Sequence, residues 1–202
     1  MQKGNLNAKN GAEKDKTASF FAYGPAADPD VITAITGRKP LDSRPAILSG
    51  FVLCIQGVND IPDLKIPGLP QTARQIIRES WGADFKMYVI RKGDGKVKGV
   101  VYTIRKEDMG AMEDWELVNF KWYSVMNGNA TFDDGSTREV IAVAIKDQSI
   151  EKEVDGLDYD LFLGLGEAFK QLFIKHVNAA RRLYLKRESI RSDSNWVVHV
   201  QN

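Results

Sequence analysis

The stretch Phe20-Phe21-Ala22-Tyr23-Gly24 decides how the fold is interpreted, because an apolar run that stops at Tyr-Gly predicts a buried strand opening into a tight loop. The small residues Pro25-Ala26-Ala27 follow, and Asp28-Pro29 then provides a helix cap and a proline suited to the first helical position. The helix is expected over 29–36, with Gly37 as its stop. This arrangement can present backbone N–H groups to a carboxylate or carbonyl oxygen, or it can be a plain strand-to-helix turn.

A second informative residue is Glu116, at the end of a predicted helix over 107–116. Met109, Met112 and Glu116 are spaced three and four apart, so they share one face of that helix. If the methionines face the core, desolvation raises the pKa of the Glu116 carboxyl, and so does the nearby helix C-terminus. Such a carboxyl suits a general acid/base. The alternative is that the helix ends one residue earlier and Glu116 is a surface or salt-bridged residue.

Further strands are predicted from β-prone runs separated by turn residues. The run 44–56 is interrupted only by Gly50, and it is expected to form one bent strand or two. Two pairs of runs flank Gly-rich turns, Lys92-Gly93-Asp94-Gly95 and Asp133-Asp134-Gly135, which predicts two hairpins. The flanking runs are 85–91, 96–104, 119–131 and 137–144.

Composition shifts divide the chain into a disordered N-terminal tail at 1–17, a β-rich core at 18–147 and a helical extension at 148–202. The extension is expected to be mostly helical from Leu157 to about Arg187. Apolar residues recur there at helical spacing. They are Leu161, Leu165, Phe169, Leu172, Phe173, His176, Ala180 and Leu183. This stripe is expected to pack on the core or to form the interface of a homodimer.

Charge and cysteine usage exclude several classes of function. Lys+Arg 28 against Asp+Glu 27 is nearly balanced, which argues against bulk binding to nucleic acid or to an acidic membrane. The end of the long helix is locally basic, which predicts a solvated face or a contact with an acidic partner or RNA. Its residues are Arg181, Arg182, Lys186, Arg187 and Arg191.

Cys54 is the only cysteine, so no internal disulfide can form. No run of apolar residues is long enough for a membrane helix, and the N-terminal lysines are followed by no apolar signal core. A cytoplasmic location is therefore expected.

Four motifs, in this order, resemble the gamma-glutamylcyclotransferase-like family, which includes the AIG2-like proteins. They are Tyr23-Gly24 after the first strand, Gly99-Val100-Val101-Tyr102, Met112-Glu113-Asp114-Trp115-Glu116 and Tyr123. In the family the third motif has the pattern Leu-Asp-x-x-Glu and ends in the catalytic glutamate. The resemblance covers roughly 18–147.

The resemblance implies a fold of the α+β class: a small, mostly antiparallel β-barrel with flanking helices and a cavity at one end. It also implies that the α-amine of a γ-glutamyl substrate attacks its own side-chain carbonyl and releases 5-oxoproline and an amine. Glu116 would be the general acid/base, and no metal or cofactor would be needed. The expected substrate-binding residues are Tyr23, Gly24, Pro25, Ala26, Ala27 and Tyr123.

The chain departs from the family pattern at two important positions. Pro25 replaces a Ser or Thr of the loop and removes one N–H donor. Leu117 replaces the glycine that follows the glutamate, which predicts an ordinary backbone conformation there. These departures leave open a non-catalytic ligand-binding or protein-interaction module on the same fold.

Overall fold

The computed structural model describes residues 16–61, 63–65, 70–118, 121–145 and 152–198, with side chains up to residue 191. The predicted tail at 1–17 therefore lies almost wholly outside the described residues. The strands are Thr17–Ala22 (β1), Asp42–Gly57 (β2), Lys86–Arg105 (β3), Tyr123–Phe132 (β4), Thr137–Ile145 (β5) and Glu153–Val154 (β6). The helices are Pro29–Thr36 (α1), Ala73–Trp81 (α2), Met109–Trp115 (α3) and Gly166–Val198 (α4). Short 3-10 helices occupy Gly24–Ala27, Val58–Asp60 and Lys106–Asp108.

The sheet closes on itself as a barrel. β1 pairs with β3 and β5, β4 links β5 to β2, and β2 pairs back to β3. All these pairings are antiparallel except β1 with β5, which meet in parallel at Phe20 and Ile141. The short strand β6 is added to the edge of β2. The expected mostly antiparallel barrel with flanking helices and a long C-terminal helix is therefore confirmed.

The first predicted hairpin is wrong, because β3 runs straight through Lys92-Gly93-Asp94-Gly95. β2 and β3 form one long antiparallel ladder, and the register shifts between Ser49 and Phe51. Gly50 lies at that shift with a φ of 82°, so both strands bend together there. A Cβ on Gly95 would lie 2.6 Å from the Phe51 carbonyl oxygen, so this glycine permits close strand approach and not a chain reversal.

The second predicted hairpin and the first predicted helix form as expected. Asp133-Asp134-Gly135 joins β4 to β5, and Gly135 has the positive φ of 78° that the turn requires. The Asp28 carboxylate accepts a hydrogen bond of 2.8 Å from the Asp30 N–H and caps α1, and Gly37 ends the helix in the left-handed conformation.

Two hydrophobic clusters divide the core, and β1 contributes to both. Phe21 belongs to a cluster made only of strand residues, whereas Phe20 belongs to one shared with α1, α3 and α4. Adjacent strand residues point to opposite faces, so Phe21 fills the barrel and Phe20 supports the helices. Ile32 and Met112 bring α1 and α3 to the second cluster and are fully buried.

The C-terminal helix α4 packs along α1 and α3, and polar contacts hold it there. Lys170 Nζ lies 2.9 Å from Asp28 Oδ2 and 2.8 Å from Asp30 Oδ2. Near the other end, Arg187 donates a hydrogen bond of 2.6 Å to Asp114 Oδ1. Within the described residues, no helix is both long enough and apolar enough to cross a membrane.

The predicted apolar stripe differs from the structure in where the helix begins and in which residues are buried. The helix begins at Gly166 and not near Leu157, so Leu161 and Leu165 precede it. Leu165, Leu172 and Leu183 are 52%, 42% and 47% exposed, so these three are not buried in the core. The homodimer through this helix stays a prediction.

Three arginines at the basic end of the helix contact other residues of the protein, which is not expected of a fully solvated face. Arg187 pairs with Asp114, Arg191 lies 2.7 Å from Glu188 Oε1, and Arg181 donates to the Thr36 carbonyl at 3.3 Å.

Candidate functional site

A cavity of about 380 Å³ lies between the barrel and the helices. It is bounded by the end of β1, the start of β3, α2, the residues after α3, and one face of α4. Five of the predicted site residues line it. They are Tyr23, Pro25, Ala26, Glu116 and Tyr123. Gly24 and Ala27 are not among the lining residues, so the structure brings only part of the predicted loop to the cavity.

Glu116 is the acidic group at the centre of the proposed chemistry. Helix α3 ends at Trp115, one residue earlier than predicted, and Glu116 is the residue that caps it. Its side chain nevertheless faces the cavity, where burial raises the pKa of the carboxyl from 4.5 to about 7. Among the described residues, it has no hydrogen-bonding or ion-pairing partner for its carboxylate. A carboxyl with a pKa near neutrality can both accept and return a proton at ordinary pH.

The two site tyrosines are held in place by hydrogen bonds from their hydroxyls to other residues of the barrel. Tyr23 Oη donates to the Val143 carbonyl at 2.9 Å, and Tyr123 Oη donates to Gln56 Oε1 at 2.8 Å. Burial, and then the charge of Glu116, raise the pKa of Tyr23, while burial, the Tyr23 hydroxyl and Glu116 raise the pKa of Tyr123. Both hydroxyls are therefore neutral, and each keeps lone pairs that can accept a hydrogen bond.

The loop after β1 is a 3-10 helix, which turns its N–H groups back into the chain. The Gly24 N–H donates to Tyr159 Oη at 3.3 Å, and Tyr159 in turn donates to the Lys98 carbonyl at 2.7 Å. Pro25 has no N–H. The Tyr102 hydroxyl donates a hydrogen bond of 2.7 Å to the Ala27 carbonyl and so fixes the end of the loop. In this conformation the loop contributes small side chains to the cavity.

The prediction of an ordinary backbone at Leu117 is wrong. Leu117 has a φ of 53°, in the left-handed region that favours glycine. The chain must leave α3 sharply after Glu116, and the Leu117 N–H bonds the Asp114 carbonyl at 3.2 Å in that turn.

Aromatic side chains that the sequence did not identify as site residues form much of the cavity lining. Trp81 from α2 lies 5.1 Å from Phe85, 5.4 Å from Phe169 and 4.4 Å from His176, measured between ring centroids. Helical spacing placed Phe169 and His176 on one face, but no local pattern connects that face to Trp81. The His176 ring packs against Trp81, and the described residues offer it no hydrogen bond.

Among the residues that the structure describes, no three His, Cys, Asp or Glu side chains lie close enough together to hold a metal ion.

Comparison with known proteins finds no matching family model and no matching curated protein. Several solved structures do match. An uncharacterized protein from Homo sapiens is 16% identical, with a TM-score of 0.51, over 78% of this chain and 86% of its own. A gamma-glutamyl cyclotransferase is 16% identical, with a TM-score of 0.48, over 68% of this chain and 70% of its own. An Arabidopsis thaliana protein is 19% identical, with a TM-score of 0.44, over 93% and 95%.

At these identities, likeness to solved structures shows the fold alone. The chain therefore shares its fold with the uncharacterized human protein. A gamma-glutamyl cyclotransferase is among the solved structures that match it, as the sequence motifs predicted. Its activity and substrate are a separate question, which depends on the site.

Proposed function

We propose that the protein is an enzyme of the gamma-glutamyl cyclotransferase type, which converts a γ-glutamyl amine or peptide to 5-oxoproline and a free amine. The observation that carries the proposal is Glu116: a carboxyl inside a ligand-sized cavity, with a pKa of about 7 and no partner among the described residues. Cavities of roughly 300–1,000 Å³ are typical of small-molecule sites, and this one falls in that range. A cytoplasmic location stays a prediction.

The reaction needs one group that can move a proton between two nitrogens. The neutral α-amine of the substrate attacks the γ-carbonyl carbon, and the Glu116 carboxylate takes the proton that the attacking nitrogen loses. The new C–N bond closes the five-membered ring. Glu116 then returns the proton to the departing nitrogen as the original C–N bond breaks, so no water is consumed. Because attack is intramolecular, holding the substrate folded supplies much of the rate acceleration.

A second candidate is a non-catalytic binding module on the same barrel. It is favoured by the 3-10 helix Gly24–Ala27, because the Gly24 N–H is bonded to Tyr159 and Pro25 has none to offer. A substrate carbonyl would then find fewer backbone donors in this loop than an N–H cradle would supply.

The deciding experiment measures release of 5-oxoproline from γ-glutamyl amino acids, γ-glutamyl amines and glutathione. Glu116→Gln keeps the size of the side chain but removes its ability to take a proton, so we expect turnover to fall by about 100-fold or more. Glu113→Gln, on the neighbouring helix α3, is the matched control and should retain activity. Full turnover in Glu116→Gln would refute the mechanism, and an absence of product from every substrate would favour the binding module.

A further inference from the structure

One part of the cavity lining is a continuous cluster of rings, called here the aromatic wall. Its members are Trp81, Phe85, Trp115, Phe169, Phe173 and His176. Trp81 lies at its centre, with ring centroids 5.5 Å from Phe173 and 4.4 Å from His176. These separations are those of aromatic pairs in direct contact, so the rings form one surface and not scattered apolar groups.

Some rings of the aromatic wall are not fully covered by other side chains. Trp81, Phe85 and Phe169 are only partly buried, although they belong to the inner side of the fold. Covering apolar surface that faces a cavity is favourable, and a planar ring can stack on such a surface at the same spacing that the wall residues use with each other.

The wall also reaches the reacting centre. Trp115 directly precedes Glu116, and its ring centroid lies 5.5 Å from that of Phe173. In the proposed reaction Glu116 must reach the departing nitrogen, so the leaving group begins in the cavity that Trp115 also lines. The γ-glutamyl part is polar and suits the side of the site that carries the Tyr23 and Tyr123 hydroxyls. The aromatic wall is then available to the leaving group.

We infer that the preferred substrates carry an aromatic leaving group, so that the amine released with 5-oxoproline bears a ring that stacks on the aromatic wall. This inference rests on the proposed function and narrows its substrate class. It assigns the helix α4 a role in specificity, because Phe169, Phe173 and His176 all belong to that helix. The ion pairs of Lys170 and Arg187 hold the helix where its rings line the cavity.

The test compares substrates that differ only in the ring. γ-Glutamyl-phenylalanine is compared with γ-glutamyl-alanine, and γ-glutamyl-2-phenylethylamine with γ-glutamyl-ethylamine, so both amino acids and simple amines are represented. We expect kcat/KM to be about tenfold or more higher for the aromatic member of at least one pair, which is the discrimination that a buried apolar group provides. Equal or lower kcat/KM for the aromatic members of both pairs would overturn the inference.

Two substitutions of Phe169 test whether the aromatic wall causes the preference for aromatic substrates. Phe169→Ala should lower kcat/KM for the aromatic substrate at least fivefold more than for its small partner. Phe169→Leu keeps most of the side-chain volume and guards against a folding defect. Leu172→Ala, at an exposed position of the same helix, is the matched control and should leave the ratio unchanged. An unchanged ratio of kcat/KM values in both Phe169 variants would show that the aromatic wall does not cause the preference.

A binding measurement separates this inference from the proposed reaction. Calorimetric titration of the unmodified protein with the same four compounds reports affinity even where no product forms. Tighter binding of the aromatic compounds without product would contradict the cyclotransferase reaction and support the aromatic site. Product without any aromatic preference would support the reaction and overturn the inference, and neither binding nor product would reject both.

Discussion

At the scale of single residues, Glu116 lies in a buried environment that disfavours the charged form of its carboxyl. Its carboxyl pKa of about 7 in the folded chain compares with 4.5 for the ordinary group, and burial is the cause. Between those two values the unfolded chain releases the proton and the folded chain keeps it. Stability therefore falls as pH rises through this window, and the full penalty of about 3 kcal/mol is present above pH 7.

Replacing Glu116 with Gln should therefore stabilise the protein, but only where the carboxyl would be charged. We expect Glu116→Gln to raise the melting temperature at pH 8 and to leave it nearly unchanged at pH 4.5. Paired thermal denaturation curves at the two pH values test this, with Glu113→Gln as the control. An equal gain at both pH values would show that the effect does not come from ionisation.

The same pKa predicts the pH dependence of the reaction. The reaction needs the base form of Glu116 and the neutral form of the substrate α-amine, so kcat/KM should rise more steeply with pH below pH 7, where both groups are protonated, than above it, where only the amine still limits the rate. Initial rates from pH 5.5 to 8.5 measure this change of slope. A profile with the same slope on both sides of pH 7 would assign the proton transfer to another group.

Leu117 stores strain beside this carboxyl, because its φ of 53° is unfavourable for a residue with a side chain. Leu117→Ala and Leu117→Gly both remove the leucine packing, so their difference isolates the backbone. We expect the glycine variant to be more stable than the alanine variant by about 1 kcal/mol, measured by urea denaturation. At an unstrained position, alanine would be the more stable of the two.

At the scale of secondary structure elements, α4 depends on its link to α1. Lys170 and Asp28 each have side chains only 14% exposed, so their ion pair is better shielded than a surface pair. We expect Lys170→Ala to cost about 1 kcal/mol more than Lys175→Ala, an exposed lysine of the same helix, in denaturant titrations. Equal costs would mean that packing alone holds the helix.

The elements that the sequence predicted well are those whose signals are local. Asp28 and Gly37 mark the two ends of α1, and Gly135 marks the turn between β4 and β5. The strand β3 could not be predicted as one piece, because Gly93 and Gly95 resemble turn glycines. Their actual role depends on the approach of β2, which is distant in the sequence. Glu116 was found because Met109 and Met112 are near neighbours on the same helix.

At the scale of the whole molecule, the cavity is a product of tertiary packing. Trp81 and Phe85 are near neighbours in the chain, whereas Phe169 belongs to α4, and only the closed barrel with α4 against it brings the three rings together. No pattern within α2 alone indicates that Trp81 faces a ligand cavity. The sequence could predict the fold and a buried carboxyl at position 116, but not the shape and lining of the cavity that this carboxyl faces.

Removing α4 should have consequences beyond the cavity. Phe173 and Val177 are buried against α1 and the barrel, and each such side chain contributes about 1.5–3 kcal/mol. The loss of both contributions would remove a large part of the free energy of unfolding of a typical domain, which is about 5–15 kcal/mol. A chain ending at residue 165 should lose its cooperative thermal transition, whereas one ending at residue 191 should keep it. A sharp transition in the shorter chain would show that the barrel is stable without the helix.

The parallel contact of β1 with β5 and the position of α4 impose an order on biosynthesis. On the ribosome β1 is made first, yet its partners β3 and β5 emerge much later, so the strand that ends at the loop must wait for them. α4 emerges after every barrel strand. A nascent chain halted after β5 would therefore still lack the helix that buries Phe173 and Val177, and the cavity around Glu116 would form only once the last helix had been synthesised.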